Sequence, residues 1–191
     1  MNRISIIDHK NANAEQRKML NSIQSSQGIV PNLLKVFVNS PVALKAFLGL
    51  QGVSNAGSLS PQTRVRIALA IAEQYSSEYC LSLYTVSGRR VGLTGNEMTS
   101  NRSGSSEDAR ASIAIRLALS ISKNMGDIST FELIEAREAG YRDADIVEII
   151  THVGMHLLAS MLSKASNIDI DSQDVQPIYT SPTITKSEPS P

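Results

Sequence analysis

The side chain best suited to nucleophilic or redox chemistry belongs to Cys80, the one cysteine of the chain. A single thiol cannot form a disulfide within its own chain. If Ser77 is an N-cap, Cys80 is the third residue of a helix, where the positive end of the helix dipole favours a thiolate. The neighbouring Glu78 and burial between apolar helices favour the neutral thiol instead. Two interpretations therefore stay open, a reactive thiol and a small buried apolar side chain.

A second set of chemically active residues lies near the end of the sequence. Glu148, His152, His156 and Ser160 are four residues apart, so a helix would place them along one face. Glu148 and His152 could form a proton relay, and His152 with His156 could chelate a metal ion. The alternative is a hydrogen-bonded stripe at a subunit interface, or a solvated face, without chemistry. Because the sequence offers no further ligands beyond Glu148, we predict no metal site.

Motifs for nucleotide or hydrolytic chemistry are missing from the sequence. The segment Gly92-Leu93-Thr94-Gly95 lacks the preceding strand and the Lys-Ser/Thr pair of a phosphate-binding loop. No Gly-x-Ser-x-Gly elbow occurs either. We therefore predict no cofactor.

The elements that must position these residues are predicted to be helices. Pro41 and Pro61 follow Ser40 and Ser60, which is the arrangement of a helix N-terminus, and Asp143 is placed to cap the last long helix. Hydrophobic residues recur with a period of 3.6, and no segment alternates as a strand does. The predicted fold class is all-α, with about nine helices at 13–23, 31–38, 41–56, 61–76, 78–91, 95–101, 106–124, 130–139 and 144–165.

Length and composition favour one domain at 1–172, followed by a flexible Ser/Thr/Pro-rich tail at 173–191. Eighteen basic and eighteen acidic residues cancel, so an electrostatic attraction to nucleic acid is not expected. The N-terminal residues do not resemble a signal peptide, and no uninterrupted apolar run approaches a membrane span. We expect a cytoplasmic protein that binds neither nucleic acid nor a membrane.

The last long helix carries more apolar residues than one core-facing stripe needs. Exposing four or five of them would forgo roughly 1.5–3 kcal/mol each. We therefore predict a closed symmetric homo-oligomer. The residues concerned are Ile146, Val147, Ile149, Ile150, Val153, Leu157, Leu158, Met161 and Leu162.

The segment from Ser77 to Tyr84, preceded by the apolar helix from Arg64 to Gln74, resembles the alkylhydroperoxidase D-like (AhpD-like) group of the carboxymuconolactone decarboxylase superfamily. The resemblance runs from about Gly28 to Asp169 and implies an all-helical fold that assembles into dimers, trimers or hexamers. Further segments that match the family in order and spacing are 28–34, 40–41, 92–94, 139–141 and 145–148.

The family pattern is a glutamate, eleven residues, Cys-x-x-Cys, three residues and a histidine. It implies that one thiol attacks a peroxide, the other resolves the sulfenic acid, and the glutamate and histidine relay protons. In this sequence those positions are Val65, Ser77, Cys80 and Tyr84, so only the second cysteine is kept. The two-cysteine alkyl hydroperoxide reductase cycle is therefore expected to be lost.

Three hypotheses follow from the resemblance. The first is an oligomer that binds a small apolar ligand or a partner protein in the former active-site pocket. The alternative is a one-cysteine thiol peroxidase or redox sensor, an antioxidant oxidoreductase in which an external thiol reduces Cys80. A lactone decarboxylase that uses Glu148 and His152 as its acid and base is the third.

Overall fold

The computed structural model describes residues 2–171, which form nine α-helices and no strand. The prediction of an all-α fold with about nine helices is confirmed. The predicted tail at 173–191 and residue 172 lie outside the described residues. The helices are α1 (Ala14–Gln27), α2 (Asn32–Phe37), α3 (Pro41–Ala56), α4 (Pro61–Gln74), α5 (Glu78–Arg90), α6 (Gly95–Arg102), α7 (Ala109–Lys123), α8 (Thr130–Glu138) and α9 (Asp143–Ser166).

Serine caps begin two of the central helices. Ser40 Oγ accepts a hydrogen bond from the Ala43 N–H, and Ser60 Oγ accepts one from the Thr63 N–H. Each serine precedes a proline whose missing N–H costs nothing at this position, so α3 and α4 begin where predicted.

The prediction that Asp143 caps α9 is wrong. Asp143 is the first helical residue, and Arg142 occupies the N-cap position. The Asp145 carboxylate accepts the Arg142 N–H at 2.7 Å, so the side chain that closes this end comes from inside the helix. Asp143 instead forms an ion pair with Arg137.

Helix α4 lies at the centre of the domain and packs against α5, α6, α7 and α9. Its residues from Ile67 to Ala72 are all buried within this chain, which explains why the segment is apolar all round. Two buried ion pairs, Arg66 with Glu97 and Arg102 with Glu73, join α4 to α6. The core of the domain therefore forms around α4.

Helix α9 crosses the domain beside α4 and also contacts α3, α5 and α7. Ile146, Ile149 and Val153 are buried, whereas Val147, Ile150 and Met161 are exposed. The helix has the length and apolarity of a membrane span, but half of it is buried in the fold, as in the core helix of a globular domain. It brings the polar stripe predicted from the sequence against α4 and α5.

Candidate functional site

Cys80 lies in the first turn of α5 and is fully buried between α5 and α9. Its Sγ atom is 3.8 Å from the Ser163 hydroxyl on α9. Ser77 occupies the N-cap position, but its hydroxyl does not cap the helix and instead lies 3.0 Å from the same Ser163 hydroxyl. Ser77 and Cys80, at which the resemblance places the family's cysteine pair, therefore share one neutral partner on α9.

Tyr84, one turn after Cys80, joins α5 to the polar stripe. Its hydroxyl is 2.9 Å from Nδ1 of His156, and the two rings meet edge to face with their centroids 4.9 Å apart. Burial raises the pKa of Tyr84 well above its ordinary value, and the neighbouring Cys80 thiol adds to the increase. At neutral pH this hydroxyl is therefore uncharged and can donate one hydrogen bond while it accepts another.

His152 and His156 stack one turn apart on α9, with ring centroids 5.7 Å apart and planes inclined by 18°. Burial, and then the charge of Arg64, lower the pKa of His152 to about 4. Burial, and then the neighbouring His152, lower the pKa of His156 to about 3. Both imidazoles are therefore neutral at pH 7.

Several polar atoms of this stripe have no hydrogen-bond partner among residues 2–171. They are Nδ1 and Nε2 of His152, Nε2 of His156 and the Ser160 hydroxyl, and all are buried. Buried polar atoms in native proteins are nearly always paired with protein groups, water or a ligand. The unpaired imidazole nitrogens of His152 and His156 are therefore available to hydrogen-bond water or a ligand.

Glu148 is not hydrogen-bonded to His152. Its carboxylate accepts the N–H groups of Ser58 at 2.9 Å and Leu59 at 3.2 Å, in the connection between α3 and α4. A side chain at Gly57 would meet Glu148 Oε2 at 2.6 Å, so the glycine permits this close approach. In this structure Glu148 positions a loop, and the predicted relay with His152 has no direct hydrogen bond to carry a proton.

Two adjoining cavities open beside α5. The first, here called the histidine cavity, has a volume of about 350 Å³ and lies between α3, α4, α5 and α9. Its wall includes Gln51, Arg64, Val65, Tyr84, His152 and His156. Val65 and Tyr84, which the resemblance aligns with the family's glutamate and histidine, thus line the same cavity as His152 and His156. Val65 is a hydrocarbon side chain and cannot accept the proton that a glutamate would take there.

The second, here called the apolar cavity, has a volume of about 610 Å³ and lies between α2 and α5. Its wall includes Ile29, Leu33, Leu34, Leu83, Val86 and Tyr84. Tyr79, also in this wall, accepts the Leu33 N–H at 3.0 Å and donates to Asp171 at 2.5 Å. These two hydrogen bonds connect α5 to the start of α2 and to Asp171.

Cys80 lines neither cavity, whereas Tyr84 lines both. Within the described part of the chain, no three His, Cys, Asp or Glu side chains are grouped so that they could hold a metal ion. Of the six residues predicted for the site, Val65, Tyr84 and His152 meet at the histidine cavity. Ser77 and Cys80 lie outside its wall, next to Ser163, and Glu148 is hydrogen-bonded to the α3–α4 connection.

Sequence reasoning missed Arg64 and Ser163 and did not assign His156 a partner. His156 belongs to the four-residue spacing that indicated the stripe, so its position was accessible from the sequence. Its partner Tyr84 is 72 residues away, and no local pattern joins the two. Ser163 lies one turn beyond the stripe, and nothing in its neighbours distinguishes it from a surface serine.

No family sequence model matches the chain, and no curated protein matches it in sequence. Solved structures do match. An uncharacterized peroxidase-related protein from Silicibacter sp. TM1040 has a TM-score of 0.75 at 21% identity, over 87% of this chain and 92% of the other. Another from Ralstonia eutropha JMP134, described as an alkylhydroperoxidase AhpD core, has a TM-score of 0.78 at 16% identity, over 89% and 92%.

The same fold occurs in an enzyme with a different reaction. A cysteine-to-alanine variant of the debrominase Bmp8, in complex with 2,3,4-tribromopyrrole, has a TM-score of 0.74 at 16% identity, over 89% of this chain and 92% of the other. At these identities the likeness establishes the fold and not the activity. The chain has the AhpD-like fold, as the resemblance of its short motifs predicted.

Proposed function

We propose that this chain uses the AhpD-like fold to bind a small apolar ligand and does not use the family's thiol chemistry. The observation that carries the proposal is the position of Cys80, which is fully buried and lines neither cavity. The cavities themselves remain open beside it. A ligand could therefore bind where it cannot touch the thiol.

Among the residues that the structure describes, the polar neighbours of Cys80 do not include a base. Its neighbours are the Ser163 hydroxyl and the Tyr84 hydroxyl, and burial raises the pKa of Tyr84. The next group, His156, has a pKa lowered to about 3 by burial, so it is too weak a base to hold a thiol proton at neutral pH. Val65 replaces the family's glutamate and offers no alternative. These features favour an unreactive thiol.

The apolar cavity has the composition of a small-molecule site. Aliphatic side chains from α2 and α5 form one part of its wall, and polar groups, among them Gln51, Tyr84 and the charged Arg90 and Asp171, form the rest. The debrominase of the same fold in complex with 2,3,4-tribromopyrrole is consistent with a small, largely apolar occupant. Burial of such a ligand would be driven by the hydrophobic effect.

Calorimetric titration with 1-octanol tests the proposal. We expect saturable binding to the wild-type protein, unchanged affinity in Cys80→Ser, and loss of binding in Val86→Trp, which fills the apolar cavity. Val42→Trp is the matched control, because Val42 is exposed and lines neither cavity. Absence of binding to the wild type, or equal binding to both tryptophan variants, would contradict the proposal.

We propose further that the protein is a homo-oligomer in the cytoplasm. Val147, Ile150 and Met161 are 61%, 46% and 55% exposed along α9, beside half-buried leucines of the same helix. An apolar surface of this kind is typical of a subunit interface. We propose a second copy of the chain as the partner, which is the kind of assembly that the resemblance to the AhpD-like group implies.

One observation favours a second function, a one-cysteine peroxidase or redox sensor. Cys80, Tyr84 and His156 follow one another, and a proton could pass from the thiol through the Tyr84 hydroxyl to Nδ1. In that case the thiolate attacks a hydroperoxide, an alcohol leaves, and an added thiol reduces the sulfenic acid.

Hydroperoxide consumption with dithiothreitol distinguishes the two functions. We expect wild-type and Cys80→Ser proteins to be equally slow, and turnover abolished by the substitution would favour the peroxidase.

A further inference from the structure

The histidine cavity contains buried polar atoms that the fold itself leaves unsatisfied. His152 is 1% exposed and His156 is 6% exposed, and both line the cavity. Both ring nitrogens of His152 and Nε2 of His156 lack a hydrogen-bond partner among residues 2–171. An unsatisfied buried nitrogen destabilises a fold unless water or a ligand binds to it. These atoms therefore point to a polar occupant of this cavity.

Arg64 gives the cavity a positive charge. Its half-buried side chain lies in the wall and makes no ion pair or side-chain hydrogen bond with any residue that the structure describes. Its guanidinium is close enough to His152 to lower the pKa of that imidazole. A partly desolvated arginine without a carboxylate partner is an anion-binding group.

The other charged or titratable groups around His152 do not neutralise Arg64. Tyr84 on α5 is uncharged because burial raises its pKa, and burial likewise keeps His156 neutral. Glu148, one turn earlier on α9, carries a negative charge that acts on His152 in the opposite direction to Arg64, but its carboxylate accepts the N–H groups of Ser58 and Leu59 and lies outside the cavity wall. Among the described residues that line this cavity, Arg64 is therefore the charged one and no carboxylate is present, so a bound anion with a single negative charge would pair with it.

We propose that the histidine cavity binds the carboxylate headgroup of an amphipathic ligand, with Arg64 as the charge partner and His152 as a hydrogen-bond donor. A carboxylate carries the single charge that the site balances, and its two oxygens match the planar guanidinium. A phosphate monoester would bring almost two charges against one. This inference rests on the proposed function, because it adds a carboxylate headgroup to the small apolar ligand proposed above.

The two cavities are placed to hold the two ends of one molecule. Gln51, Tyr84 and Ser87 line both of them, so a headgroup beside Arg64 lies against the wall of the apolar cavity. An aliphatic chain would then follow the Tyr84 ring toward Leu83 and Val86. The ligand class is a monocarboxylate with a medium-length apolar chain.

Titration with octanoate and 1-octanol at pH 7.5 separates the headgroup from the chain. We expect wild-type protein to prefer octanoate by about tenfold or more, since a charge-assisted pair replaces a neutral contact. Arg64→Gln should remove that preference while leaving 1-octanol affinity unchanged. The matched control is Arg3→Gln, which changes an exposed arginine that lines neither cavity and should alter neither affinity.

Nuclear magnetic resonance of ¹⁵N-labelled histidines places the headgroup independently. The chain has three histidines, so single substitutions assign the signals. Octanoate should shift the ring nitrogens of His152 and leave those of the exposed His9 unchanged. Equal affinities for octanoate and 1-octanol, or an octanoate affinity that Arg64→Gln does not lower, would overturn the headgroup site and leave the apolar ligand proposal standing. Failure of both ligands to bind would overturn both.

Discussion

The Tyr84 hydroxyl lies 2.9 Å from Nδ1 of His156 and connects α5 to the otherwise unpaired imidazole stripe of α9. Removing this hydroxyl would leave His156 with no hydrogen-bond partner among the described residues, because its Nε2 already lacks one. The contact is therefore a structural link between the two helices that flank Cys80.

Tyr84→Phe is expected to lower the free energy of unfolding by about 1–3 kcal/mol, the cost of an unsatisfied buried polar group. Urea denaturation followed by circular dichroism measures the change. His156→Phe in the Tyr84→Phe background should cost less than it does in the wild type, because the two residues share one interaction. Additive costs would show that the hydrogen bond contributes nothing.

Acidification should destabilise the protein between pH 6.5 and 5. Burial lowers the pKa of His152 to about 4 and that of His156 to about 3, whereas an unfolded histidine has a pKa near 6.5. Below pH 6.5 the unfolded state therefore binds more protons than the folded state does. The contribution of these histidines to the free energy of unfolding is fully present above pH 6.5 and is lost as the pH falls below it. The slope should approach about 1.4 kcal/mol per pH unit for each histidine.

Unfolding free energies measured across that range check the slope. Replacing both buried histidines by glutamine should flatten it, while His9→Gln, at an exposed position, should not. Carboxylates contribute at lower pH, since hydrogen bonds from Ser58 and Arg142 lower the pKa of Asp145 to about 2. A wild-type stability that is constant from pH 6.5 to 5 would mean that the buried imidazoles are already protonated or solvated.

Glu148 should act on stability and not on binding. Glu148→Gln weakens the acceptor for the Ser58 and Leu59 N–H groups, so we expect a loss of about 1–2 kcal/mol with unchanged 1-octanol affinity. Glu138→Gln, at an exposed position of α8, is the control. Thermal unfolding and calorimetric titration make the comparison. If Glu148→Gln lowered the 1-octanol affinity strongly and left the stability unchanged, Glu148 would be a ligand-binding residue.

The helices could be predicted from the sequence because their signals are local. Ser40-Pro41 and Ser60-Pro61 mark two starts through hydrogen bonds that span three residues. The start of α7 was less accurate, at 106 against Ala109, because Asp108 provides the cap. Ser106 and the Glu107 N–H bind Glu97 on α6 instead. That error reflects a tertiary contact that a local pattern does not contain.

The site could be predicted only in part for the same reason. Four-residue spacing placed His152 and His156 on one face of a helix. What the face meets depends on how α9 packs against α4 and α5, and this packing brings together Arg64, Tyr84 and the histidines. The prediction of a relay assumed that Glu148 turns toward His152, but the backbone N–H groups of the α3–α4 connection bind it first.

Assembly is tested through the exposed face of α9. Wild-type protein should have a mass that is a multiple of 20.6 kDa at micromolar concentration. Ile150→Arg should lower that mass, because it places an unpaired charge among apolar side chains. Ile134→Arg, a matched change at an exposed position of α8, should not. Light scattering reads both variants, and a wild-type mass near 20.6 kDa would contradict the oligomer.

The rate at which iodoacetamide alkylates Cys80 in the folded protein tests the central claim most directly. A thiol that is fully buried and lines neither cavity should react far more slowly than a free cysteine from pH 6 to 9. The rate should rise to the free-cysteine value only in urea, and 1-octanol should leave it unchanged. Alkylation of the folded protein at neutral pH as fast as that of free cysteine would contradict the account and favour a reactive thiol.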